Sequence, residues 1–252
     1  MPILGAYDIT CRFGGLVAVD GVTFEVEQGE MVAIIGPNGA GKTTIFNLLS
    51  GFVPLAGGDV RFKGKRINRW PPHRLAHARM IRTFQDARLF RNMSVLENCL
   101  VGMHAHGTTG LMRTSLRLGS VVRAEASLMK RAYRILERIG LEGRAHERAG
   151  EIPFGEQRLL ELARAEAAEP ELLLLDEPAA GLNIMETSHL DRQIRRLNQS
   201  GITIVVIEHD MRLVMSLATR VIVINSGRKI TEGTPEQVQN DPAVIEAYLG
   251  GD

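Results

Sequence analysis

The sequence predicts an α/β fold built on a parallel sheet, with a small antiparallel sheet near the N-terminus. Three observations predict it. Continuous apolar runs at Met31 to Ile35, Leu172 to Leu175, Ile202 to Ile207 and Val221 to Ile224 read as strands buried on both faces. The amphipathic stretch Met185 to Leu197 separates two of these runs, and strand–helix alternation implies parallel pairing. Shorter β-type stretches, Thr23 to Val26 and Val60 to Phe62, lie among glycine-rich turns read at Gly57-Gly58 and Gly64.

In chain order, the run Met31 to Ile35 ends at Gly36, and a helix begins near Lys42. From about Ala87 to Ala168 the chain turns rich in arginine and leucine. Leu128, Ala132, Ile135, Leu136 and Ile139 recur there at helical spacing, which marks a helical insert. The expected organisation is one domain over 1–252, with 1–86 and 169–252 in one lobe and 87–168 in a helical subdomain. The insert's arginines, Arg113, Arg117, Arg123 and Arg131 among them, read mostly as a solvated helix face. No solenoid-length repeat, low-complexity linker or long heptad run is present.

The 252 residues, 44% of them hydrophobic, suffice for a sizeable core. With 30 basic and 29 acidic residues, no net field draws the chain onto nucleic acid or anionic lipid. Cys11 and Cys99 are far apart and lack metal-ligand spacing, so neither a disulfide framework nor a zinc site is expected, and a reducing, cytoplasmic setting fits. Met1 to Phe13 carries Asp8 and does not read as a secretory signal. The longest apolar runs fall far short of the roughly 20 residues that cross a bilayer, so any membrane link runs through a partner.

Gly36-Pro37-Asn38-Gly39-Ala40-Gly41-Lys42-Thr43 matches G-x-x-x-x-G-K-[ST] between a buried strand and a helix start. Glycines 36, 39 and 41 let successive N–H groups turn inward, and the helix N-terminus adds its positive end to the same spot. A polyphosphate fits that cradle. Lys42 is suited to the β- and γ-phosphates and the Thr43 hydroxyl to magnesium, so a polyphosphate with Mg2+ is the expected ligand. The loop alone does not separate transporters from GTPases, kinases or recombinases. A second element narrows the field: the apolar run Leu172 to Leu175 delivers Asp176 and Glu177 at a strand's carboxyl end, where open α/β sheets bind ligands. Asp176 is suited to hold the metal, and Glu177 to orient and deprotonate an attacking water.

Gln85 in Arg82-Thr83-Phe84-Gln85, then Ile152-Pro153-Phe154-Gly155-Glu156-Gln157, then Asp176-Glu177, then Ala180-Gly181-Leu182-Asn183, then His209 follow the loop in that order. In this the sequence closely resembles the ATP-binding cassette family over nearly its whole length. The resemblance implies a P-loop NTPase with a RecA-like parallel-sheet core, an N-terminal antiparallel β subdomain and a helical subdomain carrying the signature motif. It implies that Gln85 touches the metal and the attacking water, that His209 contacts the γ-phosphate, and that Phe13 stacks on adenine. By the same resemblance Pro37, Asn38, Ala40 and Thr44 would complete the nucleotide contacts of the loop. Gly155, Glu156 and Asn183 would serve the nucleotide held by a second cassette.

Within the family the chain looks like the ATPase subunits of branched-chain amino acid importers. The resemblance lies in Thr-Ile-Phe-Asn-Leu-Leu-Ser-Gly-Phe after Lys42 and Thr43, in Arg82 to Gln85 with Arg88-Leu89-Phe90, in Asp176 to Asn183, and in the tail Ala243 to Gly250. It implies transmembrane permease subunits as partners, a second ATPase subunit as homo- or heterodimer, an extracytoplasmic solute-binding protein indirectly, and a place on the inner face of the membrane. The edge Asp86 to Val101 would receive a short helix of the permease. The family's signature serine is here Pro153, which has no hydroxyl and no N–H, so one γ-phosphate contact is expected to be missing and the site it completes to be the weaker. Alternatively, proline simply starts the helix well at its first turn. Phe154 and Asn183 depart from the broad family but look typical of the subgroup. Competing readings are a DNA-repair or chromosome-maintenance ATPase, disfavoured without heptads or basic balance, a non-hydrolysing regulatory module, and an importer of another small solute such as urea or other amino acids.

Overall fold

The computed structural model describes residues 1–85, 88–103 and 118–249. β1 (Pro2–Phe13) and β2 (Leu16–Glu27) form a long hairpin. With β4 (Gly57–Phe62) and β5 (Lys65–Arg66) it makes an antiparallel sheet of order β2-β1-β4-β5. The second sheet comprises β3 (Met31–Ile35), β6 (Met80–Arg82), β7 (Leu172–Asp176), β8 (Thr203–Ile207), β9 (Arg220–Asn225) and β10 (Arg228–Gly233). Its order is β10-β9-β3-β8-β7-β6, parallel except for β10.

Side-chain parity fixes the layers. Met31, Ala33, Ile35, Leu173, Leu175, Ile204, Val206, Val221 and Val223 point to one face. There they meet α3 (Val95–Met103), α4 (Leu118–Ile139), α5 (Phe154–Ala167), α6 (Ile184–Gln199) and α7 (Met211–Leu217). The alternate residues Val32, Ile34, Leu172, Leu174, Val205, Ile207, Ile222 and Ile224 point to the other face, onto α1 (Lys42–Leu49) and the antiparallel sheet. A strand covered on both sides has no polar face, which is why these runs read as continuously apolar. The chain ends through α8 (Pro235–Gln239) and α9 (Pro242–Leu249) against β10.

The structure corrects the reading of Gly57-Gly58 as a turn. Both lie inside β4, where a Cβ on Gly58 would stand 2.2 Å from the Asp8 carbonyl oxygen and φ is 81°. The register with β1 shifts there, so the pair serves a bulge in which two backbones approach closely. Gly64 does sit in a turn. The short edge strand β6 and the short α2 (Pro72–His77) escaped the sequence because neither has enough residues to show a period. Ala132, Ile135, Leu136 and Ile139 are buried on α4 as their spacing predicts, while Arg131 pairs with Glu169 at 2.6 Å. Asp86, Ala87, Arg113, Arg117, the Arg123 side chain and Gly250 lie outside what is described.

Both cysteines are buried, Cys99 at 0% exposure, and burial pushes its thiol up to about 12. Because the thiolate is the reactive form, the native chain is expected to leave both thiols unlabelled by a thiol reagent at mildly alkaline pH and to expose two on denaturation. Rapid labelling of the folded protein would contradict this packing.

Candidate functional site

The carboxyl ends of β3, β8, β7 and β6 lie side by side, and each leads into a predicted site segment. Ile34 pairs with Ile207, Ile207 with Asp176, and Leu174 with Arg82. The phosphate loop after β3, His209 after β8, Glu177 after β7 and Gln85 after β6 are thereby gathered along one sheet edge, although they span the chain from 36 to 209.

The loop Gly36 to Gly41 is pinned by backbone on two sides. A Cβ on Gly36 would fall 2.0 Å from the Ile224 carbonyl oxygen, and one on Gly41 2.6 Å from that of Ala18. Gly41, at φ 102°, also ends the loop as the cap residue of α1, whose first turn has no side-chain cap. Its N–H groups are left for a ligand. Lys42 is 6% exposed, and its Nζ donates to the carbonyls of Gly36 at 2.7 Å and Pro37 at 2.9 Å. Burial lowers its pKa, against the opposing pull of Glu177.

A cavity of about 550 Å³ opens on this loop. It is lined by Asn38, Gly39, Ala40, Gly41, Lys42, Thr43 and Thr44, together with Glu177 and Phe13, the latter 51% exposed. Glu177 accepts a hydrogen bond from Gln85 Nε2 at 3.0 Å on Oε2, and His209 Nδ1 lies 3.7 Å from the same oxygen. Glu177 holds φ at 46°, a left-handed conformation that non-glycine residues rarely adopt and that concentrates at functional sites. Asp176 is buried at 4% exposure and accepts from Arg82 at 2.7 Å on Oδ2. Thr43, Asp176 and Gln85, on the segments at the carboxyl ends of β3, β7 and β6, carry oxygen donors of the kind a hard divalent cation takes together with waters and phosphate ligands. Among the described residues no cluster of His, Cys, Asp and Glu would cage a metal without such help.

The signature residues do not join this cavity. Gly155 and Glu156 stand in the first turn of α5, which has no side-chain cap. Phe154 packs on Gly181, and Glu156 pairs with Arg144 at 2.5 Å. Pro153 occupies the cap position, one residue earlier than the first helical turn expected from the sequence, and its carbonyl accepts from Gln157 at 2.9 Å. The Asn183 side chain is committed to α6, accepting from Met185 and Glu186 in a reciprocal cap.

Four residues that sequence reasoning left without a role support the site. Besides Arg82, Arg158 on α5 donates to the carbonyl of Gln85 at 2.5 Å and that of Ala180 at 3.5 Å. Glu208, 1% exposed, accepts from the N–H groups of Ala179 at 3.0 Å and His209 at 3.1 Å, joining the end of β7 to that of β8. Burial raises the Glu208 pKa and those backbone donors oppose the rise. Tyr248 of α9 reaches the loop as well: burial raises its phenol, against a hydrogen bond from the backbone of Gly36.

Residues 19–180 match the family model described as ABC transporter. The chain belongs to the ABC transporter family of ATP-binding subunits. A second model, described as branched-chain amino acid ATP-binding cassette transporter, matches residues 228–252 of the cassette. The chain is 47% identical over 250 residues to the high-affinity branched-chain amino acid transport ATP-binding protein LivG of Escherichia coli K12, covering 99% of this chain and 98% of that one. It is 45% identical, with the same coverage, to the corresponding protein BraF of Pseudomonas aeruginosa. Among solved structures, a nucleotide-free ATP-binding cassette from an ABC transporter superposes with a TM-score of 0.85 at 33% identity, covering 98% of this chain and 99% of that chain. The cassette is thus an ATPase that couples nucleotide hydrolysis to transport.

Gly36→Ala is expected to abolish ATP binding within the range of a fluorescent-nucleotide titration, because the loop must move away from Ile224 to admit a methyl group. Unchanged affinity would show that the loop does not need its present path.

Proposed function

We propose that the cassette energises an importer of branched-chain amino acids, working at the inner face of the membrane by ATP-driven closure against a second ATPase subunit beneath permease subunits. The observation that carries the dimeric part is the separation of two half-sites. Lys42, Thr43 and Glu177 share one cavity, whereas the uncapped first turn of α5 with Gly155 and Glu156 lies outside it. An uncapped helix tip is a ready anion site, and this chain's own loop does not use it. The substrate part rests on the full-length relatives, which are named for branched-chain amino acid transport.

In this reading the triphosphate lies on the N–H groups of residues 36–44, Phe13 stacks on the base, and Lys42 leaves its loop carbonyls for the phosphates. Thr43, Asp176 and Gln85 would hold magnesium, which would supply charge neutralisation on the phosphate oxygens. Glu177 takes the proton of the water that bonds to the γ-phosphorus as the bridge to the β-phosphate breaks. Gln85 and His209 fix the Glu177 carboxylate, and His209 faces the γ-phosphate. The tip of α5 in a second subunit, through Gly155 and Glu156 and beside Asn183, closes the site. Residues 87–168 act as a helical subdomain against a core of 1–86 and 169–252, and the edge 86–101 docks the permease.

Glu177→Gln is expected to keep ATP affinity, lose at least about 100-fold in turnover and accumulate a closed dimer in size-exclusion chromatography. Full ATPase activity would place the base elsewhere. In the assembled transporter, Pro153→Ser is expected to strengthen ATP affinity and quicken single-turnover hydrolysis at the site it completes, by about tenfold for one added hydrogen bond to a charged group. Identical kinetics would remove the idea of a weaker site. Loss of coupling to branched-chain amino acids in reconstituted vesicles, with coupling to another solute instead, would overturn the substrate reading.

A further inference from the structure

Arg82 is an enclosed cation at the sheet edge, and the proposed hydrolysis scheme gives it no part. Its side chain is 6% exposed and that of Asp176 5%. One guanidinium nitrogen donates to Asp176 Oδ2 at 2.7 Å; the other donates to Asn47 Oδ1 at 2.8 Å and Ser50 Oγ at 2.7 Å. Ser50 in turn donates to the Phe46 carbonyl at 2.5 Å, so its hydroxyl is oriented to accept from Arg82. The Phe84 ring lies 5.0 Å from the guanidinium carbon, and those of Phe46 and Phe52 lie 5.6 Å away.

A planar fork gripped by three aromatic rings and two neutral acceptors has little freedom to turn. It therefore fixes the plane of the carboxylate it grips. The acceptors Asn47 and Ser50 belong to the end of α1, the helix that starts at Lys42 and Thr43. Through Arg82 the carboxylate on β7 is registered to the helix that carries the phosphate-binding lysine and threonine. Lysine has the charge but not the geometry to reach all three acceptors at once.

We propose that Arg82 is a positioning residue for magnesium, acting through Asp176: it sets the carboxylate orientation that makes the metal site competent, and contributes little to binding of metal-free nucleotide. The inference rests on the reading of Asp176 as a magnesium ligand. The test is a fluorescent-ATP titration of the full-length chain, in EDTA and across a magnesium series, for the parent, Arg82→Met, Arg82→Lys and Asp176→Asn. Loss of an outer partner of a metal ligand commonly weakens metal affinity by about 10–100-fold, and Arg82→Met is expected to lose that much apparent magnesium affinity while its affinity in EDTA stays within about twofold. Arg82→Lys should recover part of the loss.

If Arg82→Met does not fold, Asn47→Ala and Ser50→Ala take its place, each with a smaller loss in the same direction. Magnesium affinity unchanged in the Arg82 variants, or binding weakened by the same factor with and without magnesium, would overturn the inference and leave Arg82 a structural ion pair. If Asp176→Asn itself kept full magnesium dependence, the underlying reading of Asp176 would fall instead, and the inference with it.

Discussion

Everything at the sheet edge depends on the path of the loop from Gly36 to Gly41, squeezed between the carbonyls of Ile224 and Ala18. There is no room for a side chain on either glycine, so the backbone itself meets the ligand. Burial of alternate residues of β3 on two faces holds the strand that delivers the loop, and the uncapped start of α1 leaves its N–H groups aimed at the same cavity. A slip of β3 by one residue would invert both faces and carry Gly36 away from its contact. Loop geometry and core packing are one constraint seen at two scales.

The same edge gathers carboxylates that would repel one another, and each has a different neutralising arrangement. Asp176 has the buried guanidinium of Arg82, Glu208 has backbone N–H groups, and Glu177 has the amide of Gln85 with His209 close by. Only Glu177 lines the cavity among these three. A guanidinium thus holds Asp176, backbone N–H groups hold Glu208 and a neutral amide meets Glu177, although all three stand at the carboxyl ends of the neighbouring strands β7 and β8. Removing one partner of the buried Arg82–Asp176 pair would cost about 3–5 kcal/mol.

Much of this was legible in the sequence. The four long apolar runs became β3, β7, β8 and β9, because strands buried on both faces carry no polar residues to blur the pattern. The loop motif marks Asn38 to Thr44, an apolar strand end marks Glu177 and motif order marks Gln85 and His209, and the fold brings their segments to one sheet edge. What escaped were features set by contacts remote in the chain. Gly58 reads as a turn locally, and only the approach of Asp8 makes it a bulge. Arg82 and Asp176 lie 94 positions apart, and nothing near either residue announces the pair. Tyr248 and Gly36 are separated by nearly the whole chain. Pro153 was one position off because a proline at the cap and a proline in the first turn leave the same sequence signature.

The central claim is that each nucleotide site is half-built within one chain and completed by the α5 tip of another. The direct measurement is the rate of ATP hydrolysis per chain as total protein is diluted, with the companion ATPase subunit held at equal amount. A half-built site predicts a rate per chain that falls with dilution as the pair dissociates. A rate per chain that stays constant down to the dilution at which sedimentation shows only monomers would contradict the account.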